Sequence, residues 1–311
     1  MRSSSLRLLA ALAAVAVVGA PASSQERTTD EWLTRPVDEA TFEAYLDFFA
    51  YSRDLPFDVA VAGDSTSDGV RVQRLSFQST PGERVTALLF RPAAGDATGQ
   101  AVVLLHGGVA GGKDMPRQRT VGGMMARAGW TVLAIDLQHY GERSSGLLQT
   151  FTEGEKHERL YNQQSTYLSW VAQTVKDVGR SFDFLVAERG IDPERIALAG
   201  FSRGAQLGMI VAGADRRFAA VALIHGGHFD RLETGHLPAA CPANYIGRIS
   251  PRPLLMVNGR NDADYLMDTS VLPLQRLAGE PREFRWTDAG HGIVTEEDRA
   301  FILEWLRENV P

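Results

Sequence analysis

Short apolar runs recur along the chain, each followed by a longer stretch whose apolar residues return every three or four positions. Residues 101–105, 131–135, 195–199, 219–224 and 253–257 are such runs, nearly free of charge. Runs of that length without alternation suit strands buried on both faces of a parallel sheet. Residues 70–77, 85–90 and 283–287 read as further strands, with Pro92 closing the second. Helical spacing is predicted over 118–128, 166–188, 202–212 and 296–309. It is also predicted upstream over 28–53, where Trp32, Phe42, Tyr45, Leu46 and Phe49 recur. Segment 225–251 follows neither period and reads as a long irregular excursion. Strand and helix alternate, which predicts an α/β fold: a doubly wound, mostly parallel sheet with helices on both faces. Ligand sites in such sheets form at the carboxyl ends of the strands.

The first residues follow a different logic. Arg2 and Arg7 precede an unbroken apolar run over 8–18, and Ala20-Pro21-Ala22 follows it. That is the layout of a secretory signal, and the run falls short of the roughly 20 apolar residues that a membrane span needs. The expectation is a signal peptide over 1–24 and an exported chain, secreted or periplasmic. A single domain is then expected over 25–311, with 25–65 as a helical extension packed on it. Removing the signal shifts the formal charge from −6 to −8, with 30 basic against 38 acidic residues. A mildly acidic chain without a Lys/Arg cluster argues against nucleic acid as partner. Cys241 is the single cysteine, so no internal disulfide is available, and a buried inert thiol is its expected state.

The chemistry concentrates at the ends of the buried runs. Gly200-Phe201-Ser202-Arg203-Gly204 is a G-x-S-x-G sequence between a strand and a helix. There it makes a sharp turn that lifts the serine hydroxyl clear of the sheet. A serine hydroxyl needs a base to take its proton, and His291 in Asp288-Ala289-Gly290-His291-Gly292 follows the last strand. The imidazole in turn needs a carboxylate to hold its tautomer. Asp262, just beyond the 253–257 run, is the first choice, with Asp264 as its competitor. For the oxyanion, one N–H is expected from Arg203, the residue after the nucleophile. The second is expected from the His106-Gly107-Gly108-Val109 loop, at Gly108 first and Val109 second. His106 itself reads as an orienting residue of that loop.

Taken in order, LLHGG, AIDLQHYGER, IALAGFSRGA, LLMVNGRND and DAGHG span residues 101–292. With them the chain resembles the α/β-hydrolase superfamily, and within it the dienelactone-hydrolase-like and acetyl-xylan-esterase-like serine esterases. The resemblance implies an α/β-hydrolase fold with short lid insertions and hydrolysis of carboxylic esters through an acyl-enzyme. Ser202 stands where dienelactone hydrolases proper carry cysteine. Short acyl or acetyl esters, on small molecules or polysaccharide, are the implied substrates, and no cofactor is implied. The same resemblance makes Asp136 a structural clamp, and Tyr140 a residue that could border the pocket.

Other readings stand beside this one. A prolyl-oligopeptidase-like peptidase shares the catalytic domain, but only about 50 residues separate the signal from the first strand, too few for a propeller of ~40-residue blades. A binding protein that kept the fold and lost the chemistry would be expected to lack a triad member. His225 and His228, with Asp230 beyond them, suggest a metal site only if a third ligand meets them, and none is expected. A loop lining the substrate crevice is the preferred reading there. Residues 144–164 read as a short polar lid, rich in Glu and Lys/Arg, unlike a surface that opens onto lipid.

Overall fold

A computed structural model describes residues 31–95, 97–144 and 151–311. The expected signal peptide over 1–24 lies outside the described residues, as do residues 145–150 of the expected lid. Among the described residues, nine strands form one sheet in the order β1-β2-β3-β5-β4-β6-β7-β8-β9. They are β1 (Ala60–Ser67), β2 (Val70–Thr80), β3 (Glu83–Pro92), β4 (Ala101–Leu105), β5 (Thr131–Ile135), β6 (Ile196–Phe201), β7 (Val221–Ile224), β8 (Leu254–Asn261) and β9 (Arg282–Gly290). β1, β2, β3 and β5 pair antiparallel, and the remaining pairings are parallel.

Side chains on the central strands leave the sheet alternately to two cores. Val103, Leu105, Leu133, Ile135 and Leu198 join a core under the helices Gln164–Arg189 and Arg203–Ala214. Val102, Leu104, Val132, Ala134, Ala197 and Ala199 join the opposite core, under Pro116–Arg127 and Glu296–Asn309. That two-residue alternation explains why these strands are apolar throughout: each face has its own layer of helices. The fold is therefore the doubly wound α/β-hydrolase architecture.

From β4 the chain winds to β5 on one side, then crosses back to β6 on the other. This reversal leaves a crevice at the carboxyl ends of β4 and its neighbours, where open α/β sheets bind ligands. Glu296–Asn309 is capped as its sequence suggests: Thr295 and Asp298 form a capping box, with three acidic residues in the first turn. The structure adds β1 to the predicted strands. Its eight residues are all exposed, so no apolar alternation marks it in the sequence. Upstream, the helical pattern resolves into a short turn, Glu31–Leu33, and the helix Glu39–Leu46, capped by Asp38. The excursion 225–251 is built from 3₁₀ turns at Pro238–Ala240, Pro242–Asn244 and Ile246–Ile249.

Candidate active site

The turn between β6 and Arg203–Ala214 is held by close backbone approach. Ser202 sits at φ +52° and ψ −117°, a strained conformation for a residue with a side chain. A Cβ on Gly200 would lie 2.3 Å from the Gly204 carbonyl oxygen, and one on Gly204 would lie 2.5 Å from that of His106. Both positions therefore require glycine. The turn points the hydroxyl at His291: Ser202 Oγ lies 2.9 Å from His291 Nε2, and His291 Nδ1 lies 2.9 Å from Asp262 Oδ2. Nδ1–H donates to the carboxylate, so Nε2 is left to accept the serine proton.

Asp262 is 5 % exposed, and both its oxygens are occupied. Oδ1 accepts the N–H groups of Asp264 and Tyr265, each at 2.9 Å, and Oδ2 also accepts from His225 Nδ1 at 3.3 Å. Burial pushes its carboxyl up, but the hydrogen bonds from His225, His291 and the Tyr265 N–H outweigh that and hold it well below the usual range. Asp264 is placed differently. Its Oδ2 is 3.7 Å from His291 Nε2, the nitrogen that faces the serine, and its Oδ1 pairs with Arg231 at 3.3 Å. Of the two candidates, Asp262 holds the position behind the imidazole.

Gly108 and Arg203 line one cavity of about 610 Å³ together with Ser202 and His291. A Cβ on Gly108 would come within 3.7 Å of the Arg203 Cβ, so the two backbones are neighbours. As the first residue of its helix, Arg203 has no intrahelical acceptor for its N–H. The N–H of Val109, the second choice, is spent on the Gly107 carbonyl at 2.8 Å. His106 orients this loop: Nε2 accepts from the Leu137 N–H at 3.0 Å, which leaves Nδ1–H to donate to the Gly107 carbonyl at 2.6 Å. Burial holds its imidazole pKa down, in keeping with a neutral ring.

The side chain of Arg203 does work that its sequence position did not announce. It is buried, 2.5 Å from Asp230 Oδ2, also bonded to Glu233, and its guanidinium lies 4.0 Å from the centre of the Tyr161 ring. His157 reaches the same Asp230 oxygen at 2.6 Å, and Gln206 donates to Glu233 Oε2 at 3.0 Å. His157 lies in the expected lid, yet it is buried and lines the cavity, and Leu160 and Tyr161 of the same turn are buried as well. Glu233 and His157 carry no local sequence signal, since their roles arise only where distant segments meet.

The remaining candidates are distributed as follows. His225 joins the site from the end of β7, and the donor atoms of His225, Asp262 and His291 lie within 4.8 Å of one another. Shared hydrogen bonding to one carboxylate accounts for that grouping without an ion. His228 points away, 4.0 Å from the buried Cys241 Sγ. Asp136 is fully buried and accepts from Thr86 Oγ1 at 2.7 Å, Lys113 N at 2.8 Å and Lys113 Nζ at 2.7 Å. It is a clamp, as the resemblance implied. Tyr140 is buried behind Gly108, its hydroxyl bonded to that of Tyr161.

Comparison with known proteins bears on the fold and the family. Solved structures of similar fold include an acetyl xylan esterase from Paenibacillus sp. R4, with TM-score 0.69, 17% identity and coverage of 90% of this chain and 98% of that one. Acetyl xylan esterase 1 from Thermoanaerobacterium sp. JW/SL YS485 gives TM-score 0.68 and 15% identity over 89% of this chain and 95% of that one. A cold-adapted esterase from an Arctic intertidal metagenomic library gives 0.63 and 18% over 80% and 98%. No curated protein sequence matches the chain. The sequence pattern of the acetyl xylan esterase (AXE1) family matches residues 32–232, which includes the Ser202 turn and ends before Asp262 and His291. With well over half of its length matched, the chain belongs to the acetyl xylan esterase family of carboxylic-ester hydrolases.

Proposed function

We propose that the protein is an exported serine esterase that removes short acyl groups, acetyl foremost, from a small-molecule or polysaccharide-linked alcohol. The observation that carries this reading is the relay from Ser202 Oγ to His291 Nε2 and from His291 Nδ1 to Asp262 Oδ2, each step 2.9 Å, with Ser202 and His291 lining the 610 Å³ cavity. Ser202 Oγ attacks the acyl carbon while His291 Nε2 takes its proton, and Asp262 stabilises the imidazolium that results. The Gly108 and Arg203 N–H groups receive the negative charge on the carbonyl oxygen; donors of this kind contribute about 3–4 kcal/mol each. As the tetrahedral intermediate collapses, His291 returns the proton to the leaving alcohol. Water, activated by the same imidazole, then attacks the acyl-serine and releases the acid and the free hydroxyl. Family membership and the names of the similar structures support acetylated xylan as a test substrate, and the apolar run over 8–18 supports export.

A panel of p-nitrophenyl esters of rising chain length, set against acetylated xylan and a proline-containing peptide substrate, tests this reading. Acetate or butyrate esters should be hydrolysed best, with acetate released from xylan. A preference for long chains or for the peptide would contradict it.

A further inference from the structure

Arg117 and Gln118 open the helix Pro116–Arg127 and line the catalytic cavity beside Ser202 and His291. They also line an apolar cavity of about 480 Å³ at the contact between this helix and Glu296–Asn309. The Arg117 guanidinium lies 3.9 Å from the centre of the Phe201 ring and donates to the Gly292 carbonyl, so it touches the neighbours of both Ser202 and His291. That bond uses one of its five N–H donors. Among the described residues Arg117 has no carboxylate partner.

Its location makes this unusual. The first turn of the helix holds no acidic residue, and a cation there opposes the positive end of the helix dipole. Arg119, in the same turn, is answered by Asp114 at 2.6 Å; Arg117 is not. Arg299, which lines the apolar cavity with Arg117, bonds the Val294 carbonyl at 2.6 Å, whereas the carboxylates facing the catalytic cavity are matched. Asp230 is held by Arg203 and His157, and Asp264 by Arg231. Gln118 adds a separate observation. It is 3 % exposed, and among the described residues its side-chain amide has no hydrogen-bond partner. Gln118 lines the cavity, where its amide offers two N–H donors to a ligand.

We propose that Arg117 and Gln118 form a subsite for a carboxylate carried by the ester substrate. The proposal rests on the esterase reading and adds a specificity determinant to it. The guanidinium supplies charge and a directed donor, and the Gln118 amide a second donor, while Phe201 and the apolar cavity exclude water from one side. No bond changes at this subsite; it acts on binding.

Two matched pairs test it: 4-acetoxybenzoate against its methyl ester, and p-nitrophenyl hemisuccinate against p-nitrophenyl butyrate. The first pair places the carboxylate on the alcohol, the second on the acyl group. The wild type should favour the charged member of one pair by roughly tenfold in kcat/KM, mostly through KM, and added salt should shrink the preference. Arg117→Met should erase the preference, Gln118→Leu should reduce it, and Arg117→Lys should keep part of it. The proposal is overturned if neither pair shows a preference, or if Arg117→Met slows charged and neutral esters alike, which is the behaviour of a clamp between Phe201 and Gly292. Calorimetry on Ser202→Ala protein, with 4-hydroxybenzoate against its methyl ester and p-nitrophenyl hemisuccinate against p-nitrophenyl butyrate, reads the subsite without turnover. Tighter binding of the carboxylate in either pair supports the subsite even if neutral esters are not hydrolysed, and equal binding in both counts against it. Loss of neutral-ester hydrolysis in the wild type would instead remove the esterase reading.

Discussion

The Asp262 carboxylate serves two imidazoles and two backbone amides at once. Four donors reach its two oxygens, which lets a charge remain in a site that is 5 % exposed. Asp262→Asn keeps the shape but presents an amide to His291 Nδ1, which disfavours the working tautomer. The expected outcome is a fall in kcat of about 10⁴ with a small change in KM. Asp264→Asn should cost far less, roughly tenfold or below, because it faces Nε2 from 3.7 Å and is 41 % exposed along its side chain. Steady-state kinetics on the two variants decides the matter, and the reverse order would move the acid to Asp264. In the sequence these residues stand two apart in one loop, and nothing local separates them. The loop's fold does so, by turning the N–H of Asp264 back onto Asp262 Oδ1.

At the scale of elements, the tightest constraint lies where the serine turn meets the end of β4. A methyl group on Gly204 would press against two backbone carbonyls, 2.5 Å from that of His106 and 2.8 Å from that of Leu105. Backbone at a strand end cannot yield as a flexible side chain can. Gly204→Ala should therefore separate the oxyanion loop from the nucleophile, costing several kcal/mol in unfolding free energy and nearly all activity. Chemical denaturation and ester hydrolysis on the same preparation would check both, and near wild-type values in each would refute the packing argument. Elements of this kind were legible because their patterns are local. β4, β5 and the helix Glu296–Asn309 begin and end where the apolar pattern does. β1 was not, because an edge strand with no buried side chain leaves no period to read. The segment Met267–Leu277 was not either, since polar Asp268, Thr269 and Ser270 and a proline interrupt its apolar spacing. The wall residue His157, the buried Glu233 behind Arg203 and the unmatched Arg117 were illegible for a third reason: their chemistry depends on segments far apart in the chain.

Across the whole molecule, buried charge links the site wall to the nucleophile helix. Arg203 and Glu233 are 4 % and 0 % exposed along their side chains, so removing one leaves the other as a buried charge with too few partners. Glu233→Ala is expected to lower stability by about 3–5 kcal/mol, measured by denaturant unfolding. A loss below about 1 kcal/mol would mean the network is solvated. The same groups set the response to acid. Burial pushes the Glu233 carboxyl up, but the Arg203 guanidinium and His236 beside it hold it well below the usual range, and Asp262 is depressed likewise. An unfolded chain takes up protons on such groups near pH 4, before the native state does. Their stabilisation is thus complete above roughly pH 5 and drains away as pH falls further toward the depressed native values. The melting temperature should drop steeply below about pH 4, and a flat profile there would contradict the assigned ionisation. The account turns in the end on one oxygen atom. Protein quenched during turnover of p-nitrophenyl acetate, digested and mapped by mass spectrometry, should carry a single acetyl group on Ser202. In Ser202→Ala both the adduct and the hydrolysis should vanish. Hydrolysis that persists in Ser202→Ala, or an acetyl group on another residue in the active enzyme, would contradict it.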